Sequence, residues 1–131
     1  MTQQRTVIVA DDEPHILNLV EIILAAEGFR ALTCGDGATA FELFIQQPHE
    51  VALIVSDLRL PKMSPVRLRD SIAGTDFPVP PMLVFSGLID HLRLSELFAG
   101  GLTHFLQKPF TVDAFLRVVR NLVALREHDD H

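Results

Sequence analysis

Five polar side chains that could act together chemically lie at or near the ends of apolar segments in this 131-residue chain. They are Asp11, Asp12, Asp57, Ser86 and Lys108. If the apolar segments are parallel strands, their carboxyl ends meet at one edge of a sheet and bring these side chains together. Three carboxylates beside a hydroxyl and an ammonium can hold a divalent metal ion and a phosphoryl group. The sequence therefore predicts one site at that edge.

The acidic residues of this set predict a Mg²⁺ site. Adjacent carboxylates repel one another unless a cation lies among them. Mg²⁺ prefers oxygen ligands in octahedral geometry and keeps several waters, so one or two carboxylates and a backbone carbonyl are enough. We expect Asp12 and Asp57 to bind the ion directly with the Arg59 carbonyl. Asp11 is expected to bind it through a water.

Asp57 is the predicted nucleophile of this site. A carboxylate forms an acyl phosphate when a metal ion and a cation neutralise the transferring group. The Lys108 ammonium can reach the phosphoryl oxygens on its long stem, and the Ser86 hydroxyl can hydrogen-bond to one of them. Because Pro109 follows Lys108, the peptide bond between them is a candidate for the cis form.

The segments that must position these residues alternate between strand and helix patterns. Strands are predicted at 7–10, 29–33, 51–55, 82–85 and 104–107, and helices at 14–27, 37–47, 66–73, 90–99 and from 112 onwards. Pro14 suits a first helical turn, and Asp36 and Thr111 are candidate helix caps. Short connections between alternating elements indicate an α/β fold, a doubly wound five-stranded parallel sheet with helices on both faces.

Composition limits the class of protein. The length and the 48% apolar content fit one domain over 1–131, with a core from about 5 to 126. A net charge of −6 without a basic cluster argues against contact with nucleic acid or with an anionic membrane. Cys34 is the single cysteine and reads as a small buried hydrophobe. With no leader-like or membrane-spanning segment, we expect a cytoplasmic protein.

The chain resembles the receiver domains of two-component response regulators, chemotaxis-regulator-like and flavodoxin-like in fold, over nearly its whole length. The matching residues are Asp11-Asp12, Ser56-Asp57 with Pro61 and Met63, Ser86, and Lys108-Pro109-Phe110. The resemblance implies that a histidine kinase or a histidine phosphotransfer protein phosphorylates Asp57 with Mg²⁺ present. It also implies that Ser86 moves toward the phosphoryl group while Phe105 rotates inward as a switch. A plain core phenylalanine explains Phe105 equally well.

Two positions depart from the usual receiver pattern. The loop after the phosphoacceptor commonly carries an acidic or amide residue followed by glycine, whereas this chain has Ser64-Pro65. Because proline cannot adopt a positive φ, we expect a different loop path or a different start of the third helix. Arg59 lies two residues after Asp57. We hypothesise that its guanidinium pairs with Glu13 across the mouth of the site and changes the lifetime of the phosphoryl group.

Two surfaces are candidate contacts for partners. The start of the first helix and the turn at 109–110 flank the site, where a phosphodonor helix has to approach. The fourth predicted helix, the fifth strand and the last helix could form an output or homodimer face. The apolar residues of that face are Leu94, Leu97, Phe98 and Phe105, which are more often core residues.

Two other functions are open on the sequence. Each site residue taken singly has an ordinary explanation as a helix cap, a turn residue or a solvated charge. A degenerate receiver used only for binding is expected to lack one of the five residues, and this chain lacks none. The second alternative is a phosphatase with an aspartyl-phosphate intermediate. Those that use an acid-base aspartate two positions after the nucleophile are disfavoured, because Arg59 occupies that position. We therefore expect a signalling domain with self-catalysed phosphorylation and dephosphorylation, not an enzyme; its kinase and output are open.

Overall fold

The structure, a computed structural model, describes residues 5–87 and 103–129, with side chains described to residue 125. Its strands form one parallel sheet in the order β2-β1-β3-β4-β5. The strands are β1 (Thr6–Ala10), β2 (Arg30–Cys34), β3 (Val51–Asp57), β4 (Met82–Ser86) and β5 (Thr103–Gln107). The predicted five-stranded parallel sheet is confirmed.

Helices cover both faces of this sheet, as predicted. They are α1 (Pro14–Ala26), α2 (Gly37–Gln46), α3 (Pro65–Ala73) and α4 (Val112–Asp129). Successive residues of β1 point to opposite faces, so Val7 and Val9 pack with α1 and α4, while Ile8 packs with α2 and α3. The helix predicted at 90–99, with Leu94, Leu97 and Phe98, lies outside the described residues.

The predicted helix ends are close to those observed. Pro14 occupies the first turn of α1, and Gly28 follows that helix with a positive φ of 89°. Asp36 caps α2 by accepting a hydrogen bond from the Thr39 N–H at 2.7 Å. The Thr111 hydroxyl accepts a hydrogen bond from the Ala114 N–H at 3.1 Å at the start of α4. These caps satisfy N–H groups that the helices leave without intrahelical partners.

Several element boundaries differ by one or two residues from the sequence prediction, and two of these differences have a local cause. The second strand begins at Arg30 instead of residue 29, because the Phe29 N–H donates to the Leu24 carbonyl in the turn that ends α1. The third helix begins at Pro65, one residue early, with Ser64 as its cap. Lys62, which precedes Ser64 and Pro65 in the loop, has a φ of 68°, a positive value that proline cannot adopt. Pro65 thus lies in the first turn of the helix, and a loop path that differs from that of other receivers stays a prediction.

Two smaller predictions are confirmed. The Lys108–Pro109 peptide bond is cis. Cys34 is buried, and that burial raises the pKa of its thiol to about 11, so the group is an unreactive thiol at neutral pH. Among the described residues, the helices are too short or too polar to cross a membrane.

Candidate functional site

The acidic residues meet where β1 and β3 end side by side. Ala10 pairs with Ser56 in the parallel register, so the next residues of the two strands, Asp11 and Asp57, emerge together at the sheet edge. The turn after β1 adds two further carboxylates. One oxygen from each of Asp11, Asp12, Glu13 and Asp57 lies within 4.8 Å of the others. The predicted acidic cluster is therefore present.

Lys108 follows β5, the edge strand two positions from β3, and its side chain reaches this cluster. β5 pairs with β4, and the Lys108 N–H donates to the Ser86 carbonyl at 2.8 Å, which fixes the backbone at the end of β5. The side chain extends back toward β1 and β3. Its Nζ lies 3.2 Å from Asp11 Oδ2 and 3.7 Å from Asp57 Oδ2. A mostly buried ammonium thus lies between two carboxylates.

Burial and charge act differently on the two reactive groups. Burial raises the pKa of Asp57; the Lys108 ammonium opposes this, and the nearby charges of Asp11 and Asp12 add to it. The Arg59 backbone N–H, which bonds to the Asp57 carboxylate, also acts to lower that pKa. For Lys108, burial alone would lower the pKa, but the facing carboxylates raise it, so the side chain stays protonated.

The donor atoms of this cluster fit a hard divalent cation. All of them are carboxylate oxygens, the ligands that Mg²⁺ prefers over nitrogen or sulfur. Asp11 has no exposed surface, and one of its oxygens accepts the Glu13 N–H at 3.0 Å. Asp12 is exposed and Asp57 is partly exposed, so these two carboxylates face the solvent from which an ion would enter.

Ser86 and Phe105 lie on the two strands beside this cluster. Ser86 is buried as the last residue of β4, next to Phe85, which pairs with Asp57 in the sheet register. Phe105 is in the middle of β5 and is half-buried. The sheet therefore places all five predicted site residues at its carboxyl edge, with Phe105 two strands away from Asp57.

A family model described as response regulator receiver domain matches residues 7–120. The chain belongs to this family. Curated relatives include the transcriptional regulatory protein KdpE of Mycobacterium tuberculosis, 32% identical over 117 residues that cover 89% of this chain and 50% of KdpE. The probable transcriptional regulatory protein TcrX of the same species is 31% identical over 121 residues, which cover 92% of this chain and 50% of TcrX. The chain thus spans about half the length of these relatives.

Solved structures of receiver proteins have the same fold. NtrX from Brucella abortus matches with a TM-score of 0.83 at 25% identity, covering 98% of this chain and 29% of NtrX. The chemotaxis response regulator CheY4 of Vibrio cholerae matches with a TM-score of 0.75 at 21% identity. The match covers 92% of this chain and 99% of the CheY4 chain. At 21% identity, the likeness to CheY4 shows the fold alone. This receiver domain belongs to two-component phosphorylation signalling.

Glu13 has contacts in the receiver site that sequence reasoning missed. One of its carboxylate oxygens lies 3.5 Å from Lys108 Nζ, and the other lies 3.3 Å from His15 Nε2. The sequence prediction instead assigned Glu13 to Arg59, an exposed residue at the mouth of the site. The Asp-Asp-Glu-Pro run was the available signal, since it places Glu13 at the cap position of α1, directly after the two site aspartates. Pairing of Arg59 with Glu13 stays a prediction.

Proposed function

We propose that this receiver domain accepts a phosphoryl group on Asp57 from a phosphohistidine donor and thereby regulates a partner or an attached output domain. The observation that carries this proposal is the position of Asp57: its carboxylate lies 3.7 Å from Lys108 Nζ, within a cluster of four carboxylates. Glu13 is also partly exposed and near this ammonium, but Asp57 is the carboxylate of the four that ends a strand of the sheet, as the last residue of β3. Asp57 is thus open to a donor and paired with a counter-charge.

In the proposed transfer, a carboxylate oxygen of Asp57 attacks phosphorus as the bond from the donor imidazole nitrogen to phosphorus breaks. The imidazole leaves with the electron pair of that bond and takes a proton from solvent. Lys108 stabilises the negative charge that develops on the phosphoryl oxygens, because its raised pKa keeps it cationic. Water later cleaves the oxygen–phosphorus bond and returns the carboxylate and inorganic phosphate. Both steps are self-catalysed on the domain's own side chain.

Mg²⁺ is the proposed cofactor. Asp12, Asp57 and the Arg59 carbonyl would hold it, and Asp11 would contact it through a water. When bound, it supplies positive charge next to the transferring group. The oxygen-only donor set supports this assignment.

Phosphorylation is proposed to change the conformation through Ser86 and Phe105. The Ser86 hydroxyl would hydrogen-bond to a phosphoryl oxygen, and Phe105 would turn inward. Since Phe105 is half-buried, a change in its rotamer alters the surface of β5. Phenylalanine lacks a hydroxyl, so its signal would depend on packing alone.

The proposed donor is a histidine kinase or a histidine phosphotransfer protein that approaches over the start of α1. Pro14 and His15 are exposed there, and His15 contacts Glu13 of the site. The relatives are named transcriptional regulatory proteins, and the match covers 50% of each, which supports an output domain in the whole protein. A homodimer through β5 and its flanking helices is a second proposed contact.

We also propose that residues 5–126 form one receiver domain that works in the cytoplasm. The single sheet and the family match over 7–120 support the first point. The lone reduced thiol of Cys34 is compatible with a reducing compartment. The net charge of −6 supports the view that this domain does not itself contact nucleic acid or a membrane.

The test is intact-mass measurement after incubation with Mg²⁺ and acetyl phosphate. We expect one added phosphoryl group that decays slowly, is absent in Asp57→Asn and is retained in Asp70→Asn, a matched change of an exposed carboxylate on α3. Rapid multiple turnover of acetyl phosphate would favour a phosphatase instead. No added mass, or equal labelling of Asp57→Asn, would overturn the proposal.

A further inference from the structure

The start of α2 contacts the loop that follows Asp57. The Gly37 N–H donates a hydrogen bond to the Pro61 carbonyl at 3.1 Å, across two segments far apart in sequence. Next to this contact, Lys62 Nζ lies 4.0 Å from Asp36 Oδ2, the oxygen that also accepts the Thr39 hydroxyl. The cap of α2 is therefore joined to the loop at residues 58–64.

Gly37 leaves no space between these segments. It is buried, and a Cβ atom at this position would overlap the carbonyl oxygen and carbon of Met63. Backbone atoms cannot rotate away as the end of a flexible side chain can. Met63 is itself packed against the core cluster between the sheet, α2 and α3. Any side chain at position 37 must therefore force the loop and the start of α2 apart.

The contact holds a strained turn. The Met63 N–H donates to the Pro61 carbonyl at 2.8 Å, and the residue between them, Lys62, has a φ of 68°. A γ-turn has a hydrogen bond between the carbonyl of one residue and the N–H two residues later. The form with a positive φ at the residue between them is rare and strained. Such backbone persists only where its surroundings fix it. The Pro61 carbonyl accepts both hydrogen bonds, so Gly37 anchors the turn directly.

This turn is two residues from the backbone of the site. Arg59 donates its N–H to the Asp57 carboxylate, and its carbonyl is the proposed Mg²⁺ ligand. On one side of Arg59, the Leu58 N–H donates to the Phe85 carbonyl at 2.9 Å. On the other side, Leu60 is buried in the core. The Arg59 backbone is thus fixed on one side by the contact with β4 and on the other by the turn that Gly37 contacts.

We propose that Gly37 and the strained turn at Lys62 are positioning elements that set the Arg59 carbonyl for Mg²⁺. The inference rests on the proposed function, which assigns Mg²⁺ to this edge. Groups that orient metal ligands without touching the metal typically change metal affinity by 10- to 100-fold when altered. Displacing the turn should therefore weaken Mg²⁺ binding while the fold persists.

The test compares two variants that disturb the contact from opposite sides. Gly37→Ala inserts the Cβ that overlaps Met63, and Lys62→Pro removes the positive φ from the turn. We expect each to weaken Mg²⁺ affinity by about 10-fold or more in isothermal titration calorimetry. The backbone amide resonances of Leu58 and Arg59 should shift in the metal-free variants.

Two controls match these changes. Gly35→Ala places a Cβ in open space two residues from Gly37, and Lys62→Gly keeps a positive φ accessible. Both should bind Mg²⁺ within about twofold of wild type, which is the range expected without displacement of the loop. Alanine is also a better helix former than glycine, so lost affinity in Gly37→Ala cannot come from a lower helix propensity of α2.

The outcomes separate this inference from the proposed function. If wild type does not bind Mg²⁺, the proposed function fails and the inference falls with it. If wild type binds and takes up phosphate, but folded Gly37→Ala and Lys62→Pro bind as tightly as their controls, only the inference is overturned. Should Gly37→Ala fail to fold, Lys62→Pro decides, because it changes no residue of α2; Lys62→Gly also removes the ammonium near Asp36 and so controls for that loss.

Discussion

The ammonium of Lys108 lies 3.2 Å from the carboxylate of Asp11, a side chain with no exposed surface. A buried charge without a partner is strongly destabilising. Lys108→Met keeps much of the side-chain volume and removes the counter-charge, so we expect the free energy of unfolding in metal-free buffer to fall by about 1–3 kcal/mol. Urea unfolding followed by circular dichroism measures this change.

The matched control is Arg120→Met, which removes an ion pair of shorter distance but greater exposure. Arg120 and Glu27 are joined at 2.8 Å, and 59% of the arginine side chain is exposed. Exposed pairs contribute about 0–1 kcal/mol, so this change should cost less than Lys108→Met. An equal loss in the two variants would mean that Lys108 does not compensate a buried charge.

A second prediction concerns the pH dependence of Asp57→Asn. Burial raises the pKa of Asp57 above its ordinary value of 3.8. A group whose pKa is raised on folding loses its contribution to stability as the pH rises through the folded value. Metal-free Asp57→Asn should therefore be more stable than wild type at pH 7, and the difference should vanish below pH 3.8. Urea midpoints at a series of pH values measure this.

Mg²⁺ should reverse that order. The ion is expected to bind folded wild type and not Asp57→Asn, and at 100 times its dissociation constant a ligand adds about 2.7 kcal/mol to the free energy of unfolding. Asp70→Asn serves as the control that keeps the site. A stability difference that is the same at pH 3.5 and pH 7 would contradict a raised pKa for Asp57.

Local pattern was enough to predict most of the fold. Alternation of buried strands with helices that have one apolar face indicated the sheet, and Pro14, Asp36 and Thr111 marked helix starts correctly. The second strand was misplaced by one residue because Phe29 is apolar and buried, although its N–H completes the turn after α1. Hydrophobicity alone cannot separate a buried turn residue from a strand residue.

Contacts between distant segments were not predictable in the same way. Parallel strand ends brought Asp11, Asp57 and Lys108 together, because one topological rule covers all three. Glu13 and Gly37 obey no such rule. The contact of Glu13 with Lys108 depends on the rotation of α1's first turn, and that of Gly37 with Pro61 depends on how the loop folds back onto α2. Both require three-dimensional packing.

The cap of α2 gives a third prediction. The Thr39 N–H, bonded to the Asp36 carboxylate, is the main cause that lowers the pKa of Asp36, with further contributions from the Thr39 hydroxyl and Lys62. A lowered pKa gives stability that is present above pH 3.8 and lost as the pH falls through the folded pKa. Asp36→Asn should therefore lower the melting temperature at pH 7 but not at pH 2.

Ser64→Ala, which removes the cap of α3, provides the comparison. The Ser64 hydroxyl accepts the Arg67 N–H and does not titrate, so its loss should cost about 1 kcal/mol at either pH. Differential scanning calorimetry at the two pH values distinguishes the variants. An Asp36→Asn effect that persists unchanged at pH 2 would show that the carboxylate charge has no part in capping α2.

The last prediction concerns the phosphoryl lifetime. Arg59 is exposed and its backbone N–H bonds to the Asp57 carboxylate, and Glu13 belongs to the same acidic cluster as Asp57. If the guanidinium pairs with Glu13 over the phosphoryl group, it obstructs the path of the attacking water. Arg59→Ala should then shorten the lifetime by up to about fivefold, the rate equivalent of a surface ion pair worth 1 kcal/mol. Intact-mass decay curves measure it, and Arg67→Ala on α3 is the control.

A double-variant cycle identifies the partner in that effect. Because Arg59→Ala leaves the backbone carbonyl and N–H in place, Mg²⁺ affinity should not change, and any altered decay comes from the side chain. Glu13→Gln should accelerate dephosphorylation to a similar extent, and the double variant should decay no faster than either single one, since both remove the same pair. Additive effects would mean that the two residues act separately. A decay rate unchanged in Arg59→Ala would eliminate the pairing hypothesis, since the guanidinium would then have no influence on the water that reaches phosphorus.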